Sequence, residues 1–235
     1  MEVCRWWIFY DVHVELAIPA DLPSTIGPDP ARVVRLISAL LTLKATPRVS
    51  VPILSNLPFS QVPESVVDPV LRPMDFGESP LIPDFNAPTV LDLESLDWVR
   101  DHWIAAGELA SGDRKFDTAL QGFYNATRAP RPSLALLSLW GILEEMFSPD
   151  RSELRFRVSA LIATYLAPAG AERHAMQKTV AKLYDARSKA AHGTGADDWG
   201  ALVDTYALIR AVLRKMIHHQ HVPSKVELEA SLFGG

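Results

Sequence analysis

The chain has 235 residues, 48% of them hydrophobic and 22% charged, with a net charge of −5 and an isoelectric point of about 5.8. That is enough chain for a sizeable core, and the acidic balance excludes a global pull toward nucleic acid or anionic membrane, so a polyanion site must be local. The single cysteine, Cys4, excludes an internal disulfide and a cysteine-based zinc cluster.

Charge and proline divide the chain into two regions. Residues 1–93 hold 6 Lys and Arg against 11 Asp and Glu, whereas residues 94–235 hold 17 of each sign. Of the 18 prolines, 13 fall in the first region. Proline removes a backbone donor and breaks helices, so residues 1–93 are read as a Pro-rich α+β module and residues 94–235 as a helical bundle. The apolar start Trp6-Trp7-Ile8-Phe9-Tyr10 meets Asp11, His13 and Glu15 too soon for a signal peptide or a membrane span. A cytoplasmic protein without membrane contact is expected.

In the first region, Tyr10, Val12, Val14, Leu16 and Ile18 alternate with polar residues, the period of a strand. Trp6 and Trp7 are expected to pack on the helix that follows. That helix opens at Asp29-Pro30, with proline in the first helical position, and continues through Val33, Leu36, Ile37, Leu40 and Leu41. Val49 to Leu54 is read as an edge strand because Pro52 lacks a donor. Between Leu57 and Pro88 prolines recur too often to define an element. The function of this module is not legible from its residues.

From Leu91 onward the spacing is helical. Six segments are expected: Glu94–Ala110, Arg114–Ala126, Pro132–Phe147, Ser152–Leu166, Ala171–His192 and Trp199–His219. Short links between amphipathic helices favour an antiparallel up-and-down bundle. Asp197 and Asp198 are placed to cap the last of them.

Candidate chemistry gathers where the fifth segment stops at Gly193. His192 there meets backbone carbonyls without intrahelical partners and the negative end of the helix dipole, a place to hold or pass on a proton. Arg187 offers a permanent cation for phosphate. Five positions separate the two, which turns them about 140° apart around an ideal helix. A single straight helix does not converge them, so either its last turn unwinds or a second copy of the chain completes the site. A two-fold dimer would bring two arginines and two histidines into one cleft. Ser188 is placed to orient the histidine ring, and Lys189 to add a phosphate contact. Of Glu144 and Glu145, one facing the interior would pair with Arg157 or Arg187, with solvated Glu145 the plain expectation for the other. Glu153 and Arg157 have the spacing of a helix salt bridge. Tyr184 and Trp140 are candidates for stacking on bases, although aromatics at helical spacing usually build core. His218, His219 and His221 lack a carboxylate or thiol at ligand spacing, so a polar helix end is preferred to a metal site. No metal or cofactor is expected.

The string Leu183-Tyr184-Asp185-Ala186-Arg187-Ser188-Lys189-Ala190-Ala191-His192-Gly193 closely resembles the signature of HEPN domains, specifically the Apea-like subgroup. Upstream, Trp140 to Phe147, with Glu144 and Glu145, resembles the family's acidic helix, and the resemblance spans roughly residues 94–220. It implies a mainly α, usually dimeric helical bundle that is often a metal-independent endoribonuclease, frequent in toxin–antitoxin, CRISPR-associated and antiphage systems. Carried onto this chain, Arg187 and His192 are the catalytic pair, with Tyr184, Asp185, Ser188, Lys189 and Glu144 in supporting or RNA-binding roles. RNA, a second copy of the chain, and an antitoxin or defence-system component are the implied partners. Ser188 departs from the Asn, Asp or His that follows the arginine in many active members, and it is usual in the Apea-like subgroup. The alternatives are a non-catalytic dimerisation or nucleotide-binding module in a defence or signalling assembly, and a structural Arg187 bonded to a bundle carboxylate such as Glu144.

Overall fold

The computed structural model describes residues 15–18, 21–27, 29–45, 49–64, 69–74, 91–147, 154–193 and 197–233. Eight α-helices are present among them: α1 (Pro30–Lys44), α2 (Leu93–Gly112), α3 (Arg114–Ala126), α4 (Pro132–Phe147), α5 (Leu154–Leu166), α6 (Ala171–Ala191), α7 (Trp199–His219) and α8 (Lys225–Phe233). The described protein is therefore mainly helical, with one small sheet.

Aspartate starts four of the helices, because its carboxylate accepts from N–H groups that lack intrahelical partners. Asp29 accepts from Ala31 ahead of α1, Asp92 from Ser95 ahead of α2, and Asp113 from Lys115 and Phe116 ahead of α3. Asp198 caps α7 through Ala201, as its position before Trp199 predicts. The six expected segments match α2 to α7: α3, α4 and α7 agree at both ends, the ends of α2 and α6 shift by one or two residues, and the expected start of α5 at Ser152 lies outside the described residues.

Helix α4 lies at the centre, packed against α3, α5, α6 and α7. Its sequence explains this: apolar residues cover most of its circumference, and only the stripe of Leu134, Ser138, Gly141 and Glu145 faces solvent. Trp140, Leu139, Leu143 and Leu136 are fully buried there, joined by Phe116 and Phe123 of α3 and by Leu202, Ile209 and Leu213 of α7. Each such side chain contributes about 1.5–3 kcal/mol by leaving water. Helices α3 and α4 approach closely at Gly122, where a Cβ would stand 2.9 Å from Ile142 Cδ1.

The acidic, proline-rich region contributes to the same core. Leu36, Ala39, Leu40 and Leu43 of α1 belong to it, and α1 packs on α2, α3 and α7. Helix α7 also closes the C-terminal end of α1. Tyr206 donates its hydroxyl to Thr42 O at 2.9 Å, and Arg210 donates to Leu43 O at 2.8 Å and Lys44 O at 2.9 Å.

Three differences from the sequence reading have physical causes. The strand expected over Tyr10–Ile18 falls on residues of which only 15–18 are described, and those four are not in a strand; Trp6 and Trp7 lie outside the described residues. The expected edge strand is the short β1 (Ile53–Ser55), and its partner is β2 (Leu71–Pro73), antiparallel with Leu54 opposite Arg72. The recurring prolines concealed β2, yet a two-stranded ladder is all edge and tolerates them. Helix α8 was unforeseen, although its signal is present. Ser224 and Glu227 form a capping box, with Glu227 N–H donating to Ser224 Oγ at 3.3 Å and Ser224 N–H donating to Glu227 Oε2 at 2.7 Å. No helix among the described residues is long and apolar enough to cross a membrane.

Candidate functional site

Helix α6 is regular through Ala191, and His192 is its C-cap rather than its last helical residue. The His192 N–H donates to Ser188 O at 3.2 Å. Gly193 follows with φ of +63°, the left-handed conformation that glycine adopts without a steric penalty and that commonly ends helices. The imidazole of His192 is exposed. Since the helix does not unwind before it, Arg187 and His192 leave α6 in directions about 140° apart.

Arg187 meets α4. Its Nη2 donates to Glu144 Oε2 at 3.2 Å and lies 3.0 Å from Oε1. The two side chains are 27% and 21% exposed, so the pair sits at the rim of the core with one side open to solvent. Glu145, the next residue, is exposed. The helical period accounts for the choice. Glu144 lies four residues after Trp140 on the face that α6 covers, and Glu145 is turned a further 100° or so away.

Aromatic rings support the pair from below. Tyr184 lies under Arg187, with the guanidinium 5.5 Å from its ring centroid, and packs edge-on against Trp140 at 5.2 Å between centroids. Burial raises the pKa of the Tyr184 phenol above its ordinary value, and the neighbouring Glu144 adds to this while Arg187 partly offsets it. Tyr184 is a buried, protonated prop. Trp140 and Tyr184 are 0% and 7% exposed, which leaves neither ring a face for a base.

The hydrogen bonding of this cluster is incomplete. Arg187 Nε, Glu144 Oε1 and Trp140 Nε1 are buried and have no hydrogen-bond partner among the described residues. Unmet polar atoms of this kind are uncommon in native interiors, and here three of them stand together.

Asp185, expected in a supporting role, is turned to α5. Arg155 Nε donates to its Oδ1 at 2.6 Å and Nη2 donates to Oδ2 at 2.7 Å, a two-toothed fork on the surface. The hydrogen bond from Arg155 lowers the Asp185 pKa, and the charges of Arg155 and Lys189 act in the same sense. Sequence reasoning missed Arg155, because its partner is 30 residues away and no local spacing marks it. Glu153, the expected partner of Arg157, lies outside the described residues. Ser188 is half-buried and Lys189 exposed, both on the last turns of α6.

The histidines near the end of α7 are otherwise occupied. His221 Nε2 lies 3.1 Å from Glu227 Oε1, and the rings of His218 and His219 meet edge to face at 5.2 Å. Among the described residues no group of three or more His, Cys, Asp or Glu is placed to hold a metal ion.

The arrangement is thus an arginine anchored on an acid and an aromatic ring, near a helix end that presents a solvent-facing histidine. Comparison with protein-family models, with curated proteins and with solved structures finds no match for this chain.

Proposed function

We propose that the protein is a metal-independent endoribonuclease of HEPN type, acting as a toxin or antiphage-defence effector. In this reading α2 to α7 form an antiparallel up-and-down bundle, and two copies dimerise so that the α6 ends face one another across a two-fold axis. The observation that carries it is the state of the Arg187 side chain. It is held by Glu144 and Tyr184 yet 27% exposed, with donor capacity left over, and the exposed His192 closes the same helix.

The chemistry follows from these two groups. One His192 takes the proton of an RNA 2′-hydroxyl as that oxygen bonds to the adjacent phosphorus. The bond from phosphorus to the 5′-oxygen breaks, and the departing oxygen receives a proton from the second His192. Arg187 meets the charge that develops on the phosphoryl oxygens. The products are a cyclic phosphate end and a 5′-hydroxyl. Residues 1–93 serve recognition or regulation, and an antitoxin or defence component restrains the activity.

The test is cleavage of several RNAs by the purified full chain in EDTA. Wild type cuts, while Arg187→Ala and His192→Ala lose roughly 10²–10³-fold in rate, the size of losing one charge-stabilising or proton-transferring group. Equal cleavage by wild type and His192→Ala, or none by either, removes the nuclease reading.

One observation favours the alternative, a non-catalytic dimerisation or nucleotide-binding module. The Glu144 carboxylate neutralises the cation that the transition state needs. A stable dimer that binds nucleotide and cuts no RNA is its signature.

A further inference from the structure

Two arginine–carboxylate pairs join α6 to its neighbours, and they differ in kind. Arg155 uses Nε and Nη2 to reach one Asp185 oxygen each, at 2.6 and 2.7 Å. That is the full fork for which guanidinium and carboxylate are matched. Arg187 reaches Glu144 through Nη2 alone, at 3.0 and 3.2 Å, while its Nε and Glu144 Oε1 have no hydrogen-bond partner among the described residues. The exposed pair is well made and the half-buried pair is poorly made, the reverse of what stability alone selects, since an unmet polar atom costs most where water is scarce.

We infer that Glu144 is a built-in competitor for the anion site of Arg187: its carboxylate occupies the guanidinium at rest and yields to a phosphate of the bound RNA. Nε is buried at rest, so a phosphate first meets the exposed part of the guanidinium, and its second oxygen reaches Nε beside Nη2 only as the carboxylate moves away. The released carboxylate has water within reach, because a fifth of its side chain is already exposed. Tyr184 remains under the guanidinium throughout and keeps it from following the carboxylate out. The inference rests on the reading of Arg187 as an RNA-facing cation and adds that the resting chain is self-inhibited at that residue.

The experiment measures binding without turnover. A fluorescent 2′-O-methyl oligoribonucleotide, which lacks the attacking hydroxyl, is titrated in EDTA with wild type, Glu144→Gln, Glu145→Gln, Arg187→Ala and the Glu144→Gln/Arg187→Ala pair. Glu144→Gln is expected to bind roughly five- to tenfold more tightly, since it removes one competing ion pair. Glu145→Gln makes the same change of charge one residue away at an exposed position and is expected to bind as wild type. The gain disappears when Arg187 is also removed. Thermal melting confirms that each variant folds, and Glu144→Ala serves the same test if the amide disturbs folding. Equal tightening by Glu144→Gln and Glu145→Gln overturns the inference in favour of a general charge effect. Weaker binding by Glu144→Gln overturns it as well, and makes Glu144 a residue that positions the arginine for RNA. If Arg187→Ala binds like wild type, the RNA-facing role of Arg187 fails, and the inference fails with it.

Discussion

Two arginines on the long helices that flank α4, Arg210 of α7 and Arg187 of α6, are bonded in different ways. On α7, Arg210 donates from two nitrogens to the last carbonyls of α1, and Lys215 donates to Tyr165 O at the end of α5. These groups meet carbonyls that the helices themselves leave open, so they fasten the fold. On α6, Arg187 faces a carboxylate with half its fork and leaves Nε unmet. Hydroxyls are unmet on the α7 side too, at Ser38, Thr42 and Thr205, but they are neutral and their desolvation costs less than that of a charged group.

The largest expected effect strikes the shared support of both seams. Trp140→Ala empties the centre of α4 and should lower unfolding free energy by about 3–5 kcal/mol, measured by urea denaturation. Next come the two arginines, whose contrast is the sharpest check. Arg210→Ala should cost about 1.5–3 kcal/mol, the worth of hydrogen bonds to a charged group, with cleavage per folded molecule unchanged. Arg187→Ala should cost about 1 kcal/mol or less of stability while abolishing most RNA cleavage. Reversal of that pattern breaks the comparison. Gly193→Ala forces a side chain into the left-handed conformation at about 1–2 kcal/mol, and it should also reduce cleavage by moving His192, measured against thermal midpoint. Asp198→Ala removes the α7 cap and should cost about 1 kcal/mol with no effect on RNA.

The smallest effect belongs to the Arg155–Asp185 fork. The Asp185 carboxyl is held below its ordinary value of 3.8. A lowered acid contributes stability that is fully present above the unfolded value and is lost as pH falls through the folded one. Both side chains are about half exposed, so screening by salt reduces the contribution further. Unfolding midpoints of wild type and Asp185→Asn should therefore differ slightly near neutral pH and converge at acid pH below that range.

Elements with strong local signals were legible from the sequence. The run of apolar positions in α4, the Asp29-Pro30 start of α1 and the Gly193 stop of α6 each act within a few residues, and periodicity reads them directly. The face that Glu144 presents to α6 was legible only as one of two options, because the helical period says which residues share a side and not which side is covered. Arg155 with Asp185, Arg210 with the α1 carbonyls, and β2 were not legible, since each depends on a partner remote in sequence. Helix α8 was legible in principle from Ser224 and Glu227. The Tyr184 and Trp140 rings followed the ordinary expectation for aromatics at helical spacing and went into the core.

The central claim, that Arg187 and His192 cleave RNA through its own 2′-hydroxyl, is tested most directly with a DNA oligonucleotide carrying one ribonucleotide. In EDTA the wild-type chain should cut only after that ribonucleotide and leave a cyclic phosphate, and His192→Ala should leave the strand intact. A strand left intact by wild type, cleavage of the all-DNA control, or equal cleavage by His192→Ala would contradict the account.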